Sequence, residues 1–301
     1  MKDPQIASSS SMVDGVLLLD KPAGPSSNAV LQQSKRLLGA ARAGHTGTLD
    51  PLACGLLVIS VGEATKFSAE LLDADKAYRA RLKLGERTET GDAEGAVVSR
   101  SEVKVEREQF LRAIERFRGE IEQVPPMYAA IKHEGRPLYA YARGGEEVPR
   151  KPRRVVIHRL DLEELRGDVA ALQIGCSKGT YVRALAEDIG NALGCGAHLI
   201  SLERTAVGPF GLGDAIGLDD LSALPAADRR KRLLPPEVLL SLRPRVALDP
   251  ESAERFRHGQ AVTVRSPSGR FGVFAPDGAF LGAGEVDGVG VLRPRRLMAT
   301  H

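Results

Sequence analysis

Tryptophan is absent from the 301 residues, and aromatic side chains of all kinds make up only 4% of them. Any stacking surface must therefore be local, built from five tyrosines and eight phenylalanines. Cysteine is scarce as well: Cys54, Cys176 and Cys195 are odd in number, widely spaced, and form no Cys-x-x-Cys pair. That argues against a disulfide framework and against a zinc signature, leaving buried thiols in a reducing compartment as the expectation. No apolar run approaches the ~20 residues of a membrane-spanning helix. No apolar stretch follows Lys2 to make a secretory leader, so a cytoplasmic location is expected. A dominant sign of charge is also missing. With 42 Lys and Arg against 39 Asp and Glu, the net charge is +3, and a polyanionic partner would have to be held by local basic clusters. The length suits about two domains.

The stretch Gly44 to Lys66 reads GHTGTLDPLACGLLVISVGEATK. It has neither the Gly-Lys-Ser/Thr ending of a P-loop nor the Gly-x-Gly-x-x-Gly spacing of a dinucleotide fold. Leu56 to Ser60 is a short apolar run suited to a buried strand. Asp50 thus stands on a Gly/Pro-punctuated loop feeding a rigid element, where reactive side chains are often presented. Taken alone, Asp50-Pro51 is an ordinary turn. The whole string GHTGTLDP, however, closely resembles, without a gap, the catalytic motif of the bacterial tRNA pseudouridine-55 synthase family. The resemblance implies that Asp50 is a nucleophile and that His45 binds substrate by filling the space a flipped base leaves.

Upstream, Val16 to Leu19 is a strand candidate stopped by Asp20-Lys21-Pro22. By composition this is a surface turn; in the resemblance it is the element beside the active site, which makes Lys21 substrate-binding. Ser26 to Asn28 can cap a helix whose face is Val30, Leu31, Ser34, Leu37 and Leu38, stopped at Gly39. Tyr78 to Leu84 alternates strictly, with Tyr78, Ala80, Leu82 and Leu84 on one face and Arg79, Arg81 and Lys83 on the other. The basic face suits phosphate contacts and solvation equally. By pattern Tyr78 is a core tyrosine; the resemblance makes it the start of a second motif whose tyrosine packs against the target base. Gly85 to Gly95 reads as an acidic loop, similar to the family's Thr/Asp-rich loop, and Asp92 in it is assigned to substrate binding. A helix is expected over Phe110, Leu111, Ile114 and Phe117, ending at Gly119.

From Pro125-Pro126 to Arg154 the chain holds Tyr128, Tyr139 and Tyr141 with Arg150, Lys151, Arg153 and Arg154. Aromatics among cations suit RNA, through stacking and phosphate neutralisation; the composition suits a plain surface insertion as well. The stretch resembles the RNA-clamping insertion of the stand-alone bacterial enzymes. Two strands follow, 155–162 and 169–175. Then Cys176 to Arg183, CSKGTYVR, resembles the family's third motif, whose arginine lies against the catalytic aspartate. Arg183 is accordingly catalytic, and Lys178 and Tyr181 substrate-binding. Thr180 is the expected N-cap of a helix over Val182, Leu185, Ala186, Ile189 and Leu193. A cation in its first turn opposes the helix dipole, at about 0.3–1 kcal/mol if exposed. Arg183 therefore needs a carboxylate, with Asp50 expected from the resemblance and Glu187 the local alternative. Leu202, a core leucine by composition, matches the motif leucine lining the base pocket. The last fifty or so residues are short strand candidates with an Asp277-Gly278 hairpin signal, and resemble a PUA domain, a small RNA-binding module.

Together these readings predict an α+β protein: a tail at 1–13, a catalytic domain at 14–240 with its insertion at 125–154, and a β-rich PUA-like domain at 246–301. The sheet should be mixed and largely antiparallel, because the strands do not alternate regularly with helices. The implied reaction moves uracil from a nitrogen to a carbon linkage on its own sugar. It imports no group and changes no oxidation state, so neither cofactor nor metal is expected. It needs a carboxylate nucleophile and a base flipped from its stack. Attack on the sugar and attack on the base remain open. The implied partner is the T stem-loop of tRNA, with no obligatory protein partner and a monomeric enzyme. The alternatives are an RNA-guided synthase subunit, which needs no clamp of its own, and a tRNA-folding chaperone, which needs no Asp50.

Overall fold

A computed structural model of the chain describes residues 13–129, 131–142 and 144–299. The tail expected at 1–13 lies, apart from Val13, outside the described residues. The main sheet is mixed and largely antiparallel. Its strands run in the spatial order Ile216–Gly217, Gly15–Lys21, Cys54–Val61, Ala197–Val207, Lys76–Leu84, Val169–Cys176, Arg153–Arg166, Gly119–Gln123. Parallel pairing joins Cys54–Val61 to Ala197–Val207 and Gly15–Lys21 to Ile216–Gly217; the other neighbours on this path are antiparallel.

Cys54–Val61 reads as a continuous apolar run because both its faces are covered. Leu56 and Val58 enter one core, with Phe67, Leu71 and Leu239. Leu57, Ile59 and Val61 enter another, with Val30, Leu31 and Leu38 of the helix Ser27–Leu38. That helix begins as expected, the Ser26 hydroxyl accepting from the Ala29 amide, and stops at Gly39. The strand Lys76–Leu84 keeps its alternation, with Ala80, Leu82 and Leu84 buried and Arg79 and Arg81 exposed.

Three sequence readings change. The helix expected to reach Gly119 covers only Arg107–Glu115, and Leu111 is exposed. Tight bonds from Arg116 N to Ala113 O and from Phe117 N to Ile114 O close it, and Gly119, at φ 80°, turns the chain into an edge strand. The acidic loop is not wholly loop: Glu86–Thr88 pairs with Val97–Arg100, a ribbon carrying Asp92 between its strands. Thr180 is not an N-cap. Its hydroxyl donates to Ser177 O, and the helix Val182–Ala192 is entered from Tyr181 without a side-chain cap. Gln123 serves that entrance instead, accepting from Tyr181 N at 3.0 Å and donating to Tyr181 O at 3.2 Å.

The C-terminal region is a five-stranded sheet in the order Arg245–Ala247, Gly269–Phe274, Phe280–Val286, Val291–Leu297, Val262–Thr263. It has its own core of Val246, Phe256, Val273 and Leu292. The helix Pro250–Arg257 went unread, although Asp249-Pro250 is a helix-start signal; the Asp249 carboxylate accepts from Ser252 N. This region leans on the turns that follow the Asp50 strand. The rings of Phe67 and Phe280 meet edge to face at 5.2 Å. Glu63 accepts from Ala299 N, and Glu70 pairs with Arg243 and Arg270.

Candidate active site

The loop carrying Asp50 is fixed before any partner arrives. Ala43–His45 pairs with Cys54–Val61, and Thr46 N donates to Val58 O. The Ser27 hydroxyl both donates to Leu49 O and accepts from Leu49 N, each at 2.8 Å. Ala53 N donates to Asp50 O, and Gly24 N to Pro51 O. Lys21 closes the far side. Fully buried, it donates to Ala53 O at 2.7 Å and to Pro22 O at 2.9 Å. Burial pushes its ammonium below the ordinary lysine range. Lys21 thus ties the strand before the loop to the backbone that follows Asp50, and it lies close enough to Asp50 to feel its charge.

Arg183 reaches the loop from the second residue of its helix. Its Nη2 lies 3.0 Å from Asp50 Oδ2, and its Nε 3.6 Å from Asp92 Oδ2. The same guanidinium donates to Thr90 O at 3.1 Å and Tyr128 O at 2.8 Å. Glu187, the local alternative, makes no ion pair with it among the described residues. Asp92 is itself oriented, accepting from the Thr90 hydroxyl at 2.5 Å and from Glu94 N at 3.1 Å. Arg183 and Asp92 are almost wholly buried, whereas Asp50 keeps 40% of its side-chain exposure. Even so, enough protein surrounds the Asp50 carboxyl that burial, the largest influence, raises its pKa. Arg183 pulls it down and Asp92 pushes it up, and the net direction is upward. The arginine therefore orients the carboxylate without fully offsetting its desolvation.

These groups face a pocket of about 220 Å³ lined by Asp50, Pro51, Thr90, Asp92, Glu94, Tyr128, Tyr139 and Arg183. A larger and more open depression of about 600 Å³ borders Tyr78, Arg79, Arg159 and Glu203 but contains neither Asp50 nor Arg183. Chemistry, not size, selects the smaller one.

Tyr78 is half-buried against the core that contains Leu49, Ala53 and Leu202. Burial raises its pKa, with Arg204 opposing. Leu202 sits across the strand pair from Ala80 and is buried. His45 is half-buried, and its Nδ1 has no hydrogen-bond partner among the described residues; burial first and Arg204 second lower its pKa, which favours the neutral ring. Tyr181 is close enough to feel the Asp50 charge, although burial dominates its raised pKa. Lys178 is not brought in. It is exposed and pairs with Asp73 at 2.7 Å, outside the pocket lining. Thr90, Glu94, Tyr128 and Tyr139 line the pocket without having been singled out as site residues. The tyrosines stood out only as members of an aromatic, basic insertion, and the short helix Leu138–Ala142 is what carries Tyr139 to the mouth.

Among the described residues no cluster of three His, Cys, Asp or Glu side chains could hold a metal, and no helix is long and apolar enough to cross a membrane. Residues 35–182 match the TruB family pseudouridylate synthase N-terminal domain. Residues 183–241 match the tRNA pseudouridylate synthase B C-terminal domain, and 244–298 the C-terminal domain of pseudouridine synthase II TruB. The chain belongs to the TruB family. It is 53% identical over 287 residues to the tRNA pseudouridine synthase B of Dechloromonas aromatica, covering 95% of this chain and 96% of that one. It is 52% identical to that of Aromatoleum aromaticum, covering 96% and 94%. Among solved structures, this TruB chain resembles a Cbf5-Nop10-Gar1 complex, with 27% identity, TM-score 0.72, and coverage of 92% of this chain and 79% of the other. An H/ACA RNP bound to a substrate RNA containing 2'-deoxyuridine, at 24% identity and TM-score 0.74, shares the fold, covering 95% of this chain and 85% of the other.

Proposed function

We propose that this protein isomerises uridine to pseudouridine in tRNA, at position 55 of the T loop, with Asp50 as nucleophile. The observation that carries the reading is the Asp50–Arg183 contact of 3.0 Å at a pocket mouth, in a chain of the TruB family. The glycosidic C1′–N1 bond breaks, the uracil turns, and C1′ bonds to C5. The C5 hydrogen leaves as a proton and N1 ends protonated, so nothing is gained or lost overall. Asp50 supplies the electron pair, which requires the ionised carboxylate. Arg183 orients that carboxylate through a planar fork, and Asp92 with two backbone carbonyls orients the arginine. Tyr78 and Leu202 offer the aromatic and apolar faces for the flipped base. His45, neutral, fills space beside the strand it ends. Tyr181 and the exposed Lys178 serve the RNA outside the pocket, the lysine as a phosphate contact.

The insertion at 125–154 supports a stand-alone enzyme over an RNA-guided one, because it puts Tyr128 and Tyr139 at the pocket mouth. The high identity to tRNA pseudouridine synthase B across nearly the whole chain supports the same choice. The β-rich region at 246–301 is read as a PUA-like module that grips tRNA, and the enzyme as a cytoplasmic monomer that needs no obligatory protein partner.

The test is tritium release from a tRNA transcript labelled at uridine C5. One tritium per tRNA should be released, and none from a transcript with cytidine at position 55. No release from the first transcript, or undiminished release from the second, would overturn the assignment.

A further inference from the structure

Among the described residues Arg204 is the largest side chain that is fully buried, at 1% exposure. Among the described residues no carboxylate lies within ion-pair distance of it. A buried, unpaired guanidinium carries a large desolvation penalty, and an apolar residue would fill the same volume without it. What Arg204 does with its donors is therefore informative. Its Nε donates to Leu56 O at 2.8 Å, and its Nη2 to Gly47 O at 3.2 Å. Tyr78, its cross-strand neighbour, is the side chain that works against the effect of its burial without offsetting it. The backbone places it for this. Arg204 is the cross-strand partner of Tyr78 on one side and of Gly55 on the other. Gly55 has φ 96°, and a Cβ there would stand 2.5 Å from Arg204 O, so glycine is needed for the strands to come this close.

Gly47 lies three residues before Asp50, and Leu56 lies six residues after it, in the buried part of the next strand. One guanidinium thus spans the two ends of the nucleophile loop and the tyrosine on the neighbouring strand. We propose that Arg204 is a positioning residue for the isomerisation: it holds the Asp50 loop and the Tyr78 ring at a fixed spacing, so that the uracil is clamped between nucleophile and aromatic face. This rests on the reaction assigned above. Arg204 touches no substrate itself.

The test compares Arg204→Lys and Arg204→Gln with the unaltered enzyme, in single-turnover rate at saturating enzyme, in tRNA affinity and in melting temperature. Arg204→Lys should lose at least about tenfold in rate, with tRNA affinity within about threefold. Arg204→Gln, which keeps donors but no charge, should lose more. If Arg204 acts through Tyr78, its loss is partly redundant with Tyr78→Phe, and the double variant should fall short of the product of the single losses by at least about threefold. Strictly multiplicative losses, or an unchanged rate in Arg204→Lys, would overturn the proposal. So would affinity, rate and melting temperature falling in parallel, or neither variant folding, since each marks a purely structural residue. An unaltered enzyme that releases no tritium would instead overturn the assigned reaction.

Discussion

Arg183 is shared between two carboxylates, Asp50 at 3.0 Å and Asp92 at 3.6 Å, and both acids line the pocket, Asp50 keeping 40% of its side-chain exposure and Asp92 only 3%. A cation held by a buried acid behind it and two carbonyls beside it cannot swing away when the substrate arrives. That rigidity is what orients the Asp50 carboxylate.

Arg183→Lys should therefore be a severe lesion despite preserving charge. An ammonium cannot reach Asp50, Asp92 and two carbonyls in one plane. A loss of at least about a hundredfold in single-turnover rate is expected, on the order of 2.7 kcal/mol of transition-state stabilisation. Transfer RNA affinity should hardly move, which filter binding checks; a near-normal rate would remove Arg183 from the mechanism.

Asp92→Asn removes an anion that pushes the Asp50 pKa up. With Arg183 then committed to Asp50, the carboxylate becomes less basic and a poorer nucleophile. The rate should fall by roughly tenfold, and the acid limb of its pH profile should shift to lower pH. A shift to higher pH would contradict the shared-cation geometry.

The pH profile of the unaltered enzyme carries a related signature. Burial raises the Asp50 pKa in the folded protein. Activity should therefore fade, as pH drops, at a pH above the ordinary aspartate value. For stability the sign is reversed. A raised folded pKa contributes stability that is present below the unfolded pKa and is lost as pH rises through the folded one. Asp50→Asn should then abolish isomerisation without lowering the melting temperature near neutral pH, and leave tRNA affinity within about tenfold. A clearly destabilised Asn variant would show that the ion pair outweighs the burial.

The C-terminal sheet should matter for affinity. Arg296 is exposed on it, and Arg265 is exposed in the bend that follows its strand Val262–Thr263. Replacing either by Ala should weaken tRNA binding and reduce the salt dependence by about one phosphate contact, with the saturated rate unchanged. Simple removal of residues 246–301 would not isolate that effect, because Phe67 packs on Phe280 and would be uncovered. Phe67→Ala, from the same shared core, should cost about 3–5 kcal/mol in chemical denaturation.

Much of the scaffold was legible because its signals are local. The alternation of Tyr78 to Leu84, the apolar run after Asp50, and the serine and glycine that bound the helix Ser27–Leu38 each act within a few residues. Where the reading failed, distant groups decided. Gln123 lies 58 positions from Tyr181 and replaces the cap that Thr180 was expected to give. The ribbon Glu86–Thr88 forms by backbone pairing with Val97–Arg100, across the acidic turn. At the site, the resemblance singled out Asp50 and Arg183, and their contact was expected. The burial of Lys21 and Arg204 was not legible because a buried cation bonded to carbonyls has no pattern of its own; it shows only when the backbone that receives it is in place.

The sheet order also governs when a site can exist at all. Ala197–Val207 lies between Cys54–Val61 and Lys76–Leu84. During synthesis the strand that follows Asp50 and the strand that carries Tyr78 therefore leave the ribosome with a gap between them, which nothing nearby in sequence can fill. Such non-local closure is slow and leaves apolar strand edges open while it waits. The nascent chain should thus stay protease-sensitive and a client for chaperones until residue 207 is free, and acquire its pocket in a single late step.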